Sequence, residues 1–112
     1  MKIYHNPRCR KSRETLSLIQ ENGITPEIVL YLEDTPSQSE LTEIIEMLGI
    51  APKDLVRKGE AAFKENFKGK NLTDEEWIEA MVNFPKLIER PIVVKGAKAI
   101  IGRPPENVRQ LF

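Results

Sequence analysis

The sequence holds one cysteine in 112 residues, which excludes an internal disulfide and a cysteine-rich zinc site. It also lacks a charge excess: 17 lysine and arginine residues balance 17 aspartate and glutamate residues, which argues against a protein that mainly binds nucleic acid. Long hydrophobic runs are missing, since apolar stretches such as residues 28–32 fall far short of the about 20 residues of a membrane helix. No apolar signal segment follows Met1. A lone thiol without such a segment predicts a cytoplasmic protein.

The length and composition predict one compact domain. Domains usually span about 100–150 residues, and a chain with 40% hydrophobic and 30% charged residues is typical of globular proteins. Residues 2–5 form a short β-prone segment. In residues 9–22 the apolar side chains recur at the spacing of one helix face, and residues 27–32 are a nearly continuous apolar run. This order predicts two parallel strands joined by a right-handed crossover helix, with the second strand buried.

The middle of the chain is predicted to be helical and the carboxyl end to form a hairpin. Ser37 with Glu40 and Thr73 with Glu76 have the spacing of capping boxes, and Pro52 opens a short helix over residues 53–58. Residues 91–95 and 98–101 are predicted strands around a tight turn, with a short helix at residues 105–111. The order βαβ, helices, ββα predicts an α/β, thioredoxin-like fold with a small mixed sheet. We expect a single domain over residues 1–112, with a helical insert at about residues 35–89.

Cys9 is the candidate nucleophile. It lies just after the first strand and at the start of the first helix, where backbone N–H groups and the helix dipole favour an anion. Four cationic side chains surround it in the sequence: Arg8, Arg10, Lys11 and Arg13. Both effects are expected to lower the pKa of the thiol below its usual value of about 8.5. The hydroxyl of Ser12 is expected to donate a hydrogen bond to the thiolate.

Several other interpretations of Cys9 meet obstacles in the sequence. A small buried hydrophobe would not be surrounded by cations. A single thiol cannot close a Cys-x-x-Cys disulfide, and a phosphatase loop needs arginine where Thr15 stands. The only histidine, His5, is either a catalytic base or a neighbour of the thiolate loop, and the sequence favours the second role because no third catalytic partner is evident.

Three later arginines could bind an anion: Arg57, Arg90 and Arg103. Arg90 and Arg103 directly precede prolines, which restrain their backbones to extended conformations. Taken singly, each is a solvated surface charge. Together with a cationic thiolate site they would form an oxyanion pocket, because guanidinium groups bind oxyanions through paired N–H bonds.

These residues occur in blocks that resemble the arsenate reductases that depend on glutathione and glutaredoxin. The resemblance runs from Lys2 almost to Phe112, and the blocks keep the order of that family. They are His5-Asn6-Pro7-Arg8-Cys9-Arg10-Lys11-Ser12-Arg13, Tyr31-Leu32-Glu33, Arg57-Lys58, Glu89-Arg90-Pro91-Ile92-Val93-Val94 and Gly102-Arg103-Pro104.

The resemblance implies a role for each site residue. Cys9 is the catalytic nucleophile, and the arsenic oxyanion is bound by Arg57, Arg90 and Arg103. His5 lies in the surroundings of the thiolate, and Pro91 is the cis-proline beside the active-site loop. Ser12 and Arg13 are expected to support the thiolate because of their positions in the first turn after Cys9. The implied reaction is reduction of arsenate to arsenite through a Cys9–arsenic adduct, with glutathione as co-substrate and glutaredoxin as partner. We expect no bound cofactor, metal, nucleic acid or membrane, and a monomer.

Two rival functions share this fold. One is a general thiol oxidoreductase acting on glutathione mixed disulfides, with the oxyanion pocket holding a carboxylate. The other is a transcription regulator that binds RNA polymerase, although Ser12 stands where such regulators often have a second redox cysteine. Arg8, Arg10 and Lys11 either dock a partner such as glutaredoxin or face solvent.

Overall fold

A computed structural model describes residues Met1–Phe112, and these divide into two compact units. The first unit comprises Met1–Asp34 and Arg90–Phe112, and the second comprises Thr35–Glu89. The second unit has nearly the bounds of the predicted helical insert. No helix has the length and apolar character needed to span a bilayer.

The first unit is built on a four-stranded mixed sheet in the order β2-β1-β3-β4. Its elements are β1 (Lys2–Tyr4), α1 (Arg10–Glu21), β2 (Glu27–Val29), β3 (Ile92–Lys95), β4 (Lys98–Ile101) and a closing 3₁₀ helix (Pro105–Leu111). β1 pairs parallel with β2 and antiparallel with β3, so the predicted βαβ unit and hairpin are confirmed. The α/β, thioredoxin-like fold expected from the order of elements is likewise the fold of the protein.

The hydrophobic core of this unit lies between the sheet and the helices. Buried aliphatic side chains come from β1, α1, β3 and the closing 3₁₀ helix: Ile3, Ile19, Val93, Val108 and Leu111. Ile19 therefore packs α1 against the central strands β1 and β3, and Cys9 lies at the other end of this helix.

The prediction of a buried second strand is wrong. β2 stops at Val29, lies at the edge of the sheet and leaves Ile28 45% exposed. The chain then turns, since the N–H groups of Glu33 and Asp34 both donate to the carbonyl of Leu30. The apolar run resembles one long buried strand because it continues to Tyr31. Tyr31 is buried, but it belongs to this turn and not to the strand.

The second unit contains the three longer helical segments α2 (Gln38–Leu48), α3 (Ala61–Asn66) and α4 (Asp74–Asn83), with 3₁₀ turns at Pro52–Leu55 and Pro85–Leu87. The predicted helix starts are confirmed: the Ser37 hydroxyl accepts from the N–H of Glu40, and Thr73 and Glu76 form a reciprocal capping box. The predicted helix at residues 53–58 is shorter, because Val56 leaves it to pair with Ile88 in a β-bridge.

Candidate active site

Cys9 lies at the N-cap of α1, with an extended backbone (φ −93°, ψ 121°). The tight loop between β1 and α1 places it there: the N–H of Cys9 donates to the carbonyl of Asn6 over 3.0 Å, and the N–H of Arg8 donates to the Asn6 side-chain oxygen over 3.0 Å. The first helical hydrogen bond follows, from the N–H of Arg13 to the Cys9 carbonyl. The partly buried sulfur is therefore held at the positive end of a 12-residue helix.

The pKa of the Cys9 thiol lies below its ordinary value. Burial acts in the opposite direction and raises the pKa, but this effect is outweighed. The backbone N–H of Ser12 lowers it, followed by the hydrogen bond and positive charge of Arg90 and by the N–H of Lys11. Two helix-start N–H groups and one guanidinium therefore favour the thiolate, which is the reactive form of cysteine.

Two guanidinium groups meet the sulfur from the β3–β4 side of the unit. Nη1 of Arg103 lies 3.7 Å from Cys9 Sγ, within hydrogen-bond reach of sulfur, and Arg90 hydrogen bonds to the same group. Each of these arginines precedes a cis peptide bond, Arg90–Pro91 and Arg103–Pro104. The cis form of the second bond was not expected from the sequence. The unit thus brings together a thiolate and two guanidinium groups, which can attack and hold an oxyanion.

The charge that acts on the sulfur is not the one expected from its neighbours in the sequence. Arg10 pairs with Glu14 at 2.9 Å, and Lys11 lies 3.9 Å from the same carboxylate. Arg13 donates to the Pro7 carbonyl over 3.0 Å and so holds the loop that leads to Cys9. The expectation that these side chains lower the thiol pKa is corrected: the cationic contribution comes from Arg90, which is distant in the sequence.

The role expected for the Ser12 hydroxyl is also wrong. This side chain is fully buried, shares a 2.6 Å hydrogen bond with Nδ1 of His5 and accepts from the N–H of Asn6 over 3.1 Å. It therefore ties the loop to the helix, while its backbone N–H faces the thiolate. Burial, and then the positive charge of Arg13, lower the pKa of His5, so the ring is neutral at pH 7.

Two residues that the sequence did not single out for the site, Thr15 and Asn107, support the backbone beside Arg103. The Thr15 hydroxyl donates to the carbonyls of Lys11 and Gly102 over 2.8 and 3.2 Å. The Asn107 amide donates to the carbonyls of Ile101 and Arg103, each over 3.2 Å. Gly102 occurs in the family-like blocks, but nothing in the local sequence shows that Thr15 or Asn107 would reach it.

Arg57 lies in the second unit, two residues after the Pro52–Leu55 turn rather than within a helix. Its guanidinium pairs with Glu89 at 2.7 Å and with Glu60 at 3.4 Å. Binding of the oxyanion by Arg57 stays a prediction from the resemblance.

Comparison with known proteins agrees with this geometry. The profile of the ArsC family matches residues 4–111. The chain is 51% identical over 113 residues to the protein YfgD of Escherichia coli K12, covering 99% of this chain and 95% of that protein. It is 44% identical over 114 residues to an arsenate reductase of Neisseria meningitidis, covering 100% of this chain and 97% of the relative.

A solved structure gives the same result. The arsenate reductase from Vibrio cholerae superposes with a TM-score of 0.94 at 45% sequence identity, covering 99% of this chain and 96% of that one. With a profile match over nearly the whole chain and relatives of this similarity, the protein belongs to the ArsC family, the family of arsenate reductases that its thiol and arginine blocks resemble.

Proposed function

We propose that the protein is an arsenate reductase that works in the cytoplasm with glutathione and glutaredoxin as reductants. The observation that carries this proposal is the placing of Arg90 and Arg103 on a Cys9 thiol whose pKa is lowered. A nucleophile and two oxyanion-binding cations at one point are the groups that arsenate chemistry requires.

In the first step, the Cys9 thiolate attacks arsenic. A sulfur–arsenic bond forms, and one arsenate oxygen takes up protons and leaves as water. Arg90 and Arg103 stabilise the negative charge on the remaining oxygens as it shifts, because their N–H groups are already held beside the sulfur.

In the second step, the glutathione thiolate attacks the Cys9 sulfur. A disulfide forms between Cys9 and glutathione, the electron pair of the sulfur–arsenic bond stays on arsenic, and arsenic(V) becomes arsenic(III). The oxygens take up two protons, and arsenous acid leaves. The thiolate of glutaredoxin then removes glutathione from Cys9 by disulfide exchange. The single cysteine supports this order, because a second thiol must come from another molecule.

The test is arsenite production from arsenate with glutathione and glutaredoxin. Cys9→Ser should abolish turnover, and Arg103→Ala should lower kcat/KM about 100-fold, the usual cost of removing one donor to a developing oxyanion. Arg57→Ala tests its predicted contact with the oxyanion. Arg109→Ala, an exposed arginine of the closing 3₁₀ helix, is the matched control and should keep full activity.

Turnover that survives Cys9→Ser would contradict the mechanism. Absence of turnover in the wild type, together with a lowered pKa of the Cys9 thiol, would favour the general thiol oxidoreductase or the polymerase-binding regulator. Exchange with glutathionylated peptides and binding to the RNA polymerase α subunit would then separate these two.

A further inference from the structure

A polar groove of about 500 Å³ runs along α1 beside the Cys9 loop. Its volume falls within the roughly 300–1,000 Å³ of small-molecule sites. One wall is a face of α1 and the other is the start of the closing 3₁₀ helix: Arg10, Arg13, Glu14, Ser17, Leu18, Glu21, Pro105 and Glu106. Arg13 also holds the Cys9 loop through the Pro7 carbonyl, and the other lining residues have no part in the attack on arsenate described above.

Both walls of the groove begin within two residues, along the chain, of a residue that forms the thiolate site. Arg10 directly follows Cys9, and the chain reaches Pro105 two residues after Arg103, whose Nη1 lies 3.7 Å from Sγ. Because an α-helix rises about 1.5 Å per residue, Arg13 and Ser17 lie about 6 and 12 Å along α1 from Cys9. The groove therefore leads away from the sulfur over the length of a small peptide.

The groove presents charges of both signs. Arg13 has five N–H donors, of which one is bonded to the Pro7 carbonyl over 3.0 Å, so its guanidinium is fixed and has further donors for a carboxylate. Glu21 and Glu106 supply carboxylates from the two walls, whereas Glu14 pairs with Arg10 at 2.9 Å. A cation beside carboxylates complements a ligand that carries a carboxylate and an ammonium on one carbon, which is the head group of an amino acid.

We propose that this groove binds the γ-glutamyl end of glutathione and thereby directs its thiol at Cys9. This inference rests on the proposed function in taking glutathione as the reductant. In glutathione, the sulfur and the carbon that carries the ammonium are about 9 Å apart when extended, and the new disulfide adds about 2 Å. The head group then lies about 11 Å from Cys9 Sγ, near the level of Ser17, with Arg13 one turn before it and Glu21 one turn after it along α1.

The experiment is an NMR titration of the ¹⁵N-labelled protein with S-methylglutathione, which cannot react with Cys9. Amide signals of Arg13, Ser17 and Glu106 should shift on binding. S-methyl-γ-glutamylcysteine, which keeps the head group, should bind with a Kd within about twofold of the Kd of S-methylglutathione. N-acetyl-S-methylcysteinylglycine, in which an acetyl group replaces the γ-glutamyl head group and keeps the cysteine nitrogen uncharged, should bind about five- to tenfold more weakly, as expected for loss of one or two exposed charge contacts.

Charge variants test the same contacts from the side of the protein. Glu21→Lys combined with Glu106→Lys should weaken S-methylglutathione about five- to tenfold and leave the Kd of N-acetyl-S-methylcysteinylglycine unchanged. Glu46→Lys makes one such reversal of charge, half the change of the double variant, on an exposed residue of α2 and should change neither Kd. All three glutamates are exposed, so the fold should tolerate these changes.

Equal affinity for the two truncated ligands, or equal weakening by Glu46→Lys, would overturn the inference. None of these measurements involves arsenate. A protein that binds γ-glutamyl ligands but does not reduce arsenate would therefore disprove the proposed function alone. One that reduces arsenate without a γ-glutamyl preference would disprove the groove alone.

Discussion

Replacing Gly102 by alanine would place a methyl group where the structure has no room for one. The added Cβ would lie 2.6 Å from Thr15 Oγ1, 2.8 Å from Pro91 Cγ and 2.9 Å from Thr15 Cγ2. Carbon atoms in contact are normally about 3.5–4.0 Å apart. Because Thr15 is held by hydrogen bonds in α1 and Pro91 is a buried ring, the clash must be relieved by moving the backbone that leads into Arg103.

Overpacking of this kind costs about 1–3 kcal/mol, and weakening the hydrogen bond from Thr15 to Gly102 adds about 1 kcal/mol. We therefore expect Gly102→Ala to lower the free energy of unfolding by about 2–4 kcal/mol. For a chain of this length 1 kcal/mol shifts Tm by about 4 °C, so Tm should fall by about 8–16 °C.

Thermal unfolding followed by circular dichroism measures this effect. Gly59→Ala is the control, since its φ is not positive and a Cβ there meets no atom within 4 Å. Thr15→Ala removes two of the three crowded atoms, so Gly102→Ala should cost about 1 kcal/mol less in that background. A Gly102→Ala variant with the same Tm as the Gly59→Ala control would refute the reasoning.

Three further changes test single contacts. Arg90→Met should raise the pKa of Cys9, because it removes a hydrogen bond and a positive charge from the thiolate, and the pH profile of alkylation by iodoacetamide should move upward. His5→Gln should flatten the loss of stability in acid. Burial and then the charge of Arg13 lower the pKa of His5 in the folded protein. Below about pH 6.5 the unfolded chain therefore binds more protons than the folded one, and the free energy of unfolding decreases as the pH is lowered. Thr73→Ala removes the cap of α4 and should cost about 1 kcal/mol in urea unfolding.

Each of these tests has an opposing result. An equal shift of the alkylation profile in Arg109→Met would show a general effect of net charge rather than a contact of Arg90. Parallel stability curves of wild type and His5→Gln from pH 7 to 5 would show that His5 is not held neutral by the fold. Thr25, exposed and outside any helix, is the control for Thr73, and a similar loss in Thr25→Ala would remove the capping argument.

The parts of the fold that local chemistry decides could be predicted from the sequence. Gly49 ends α2 in the left-handed conformation (φ 69°), and Gly96 opens the hairpin turn with φ 60°. Thr73 and Glu76 begin α4 as their spacing requires. In each case the residues that determine the structure lie within four positions of one another.

What could not be predicted depends on contacts between distant segments. The order of strands places β2 at an edge, which its apolar sequence does not reveal. Lys11 and Arg13 look equivalent to Arg90 as sources of charge for Cys9, but the direction of α1 turns their side chains to other partners. The Thr15–Gly102 contact joins residues 87 positions apart, so only the folded chain shows it.

The two edges of the sheet have a consequence for how the protein behaves at high concentration. Both outer strands are only three or four residues long, and each begins with an exposed charged residue, Glu27 in β2 and Lys98 in β4. A second molecule that extended the sheet at either side would have to desolvate that charge for a handful of backbone hydrogen bonds. The exposed apolar surface of Ile28 therefore lies beside a built-in obstacle to fibrous self-association.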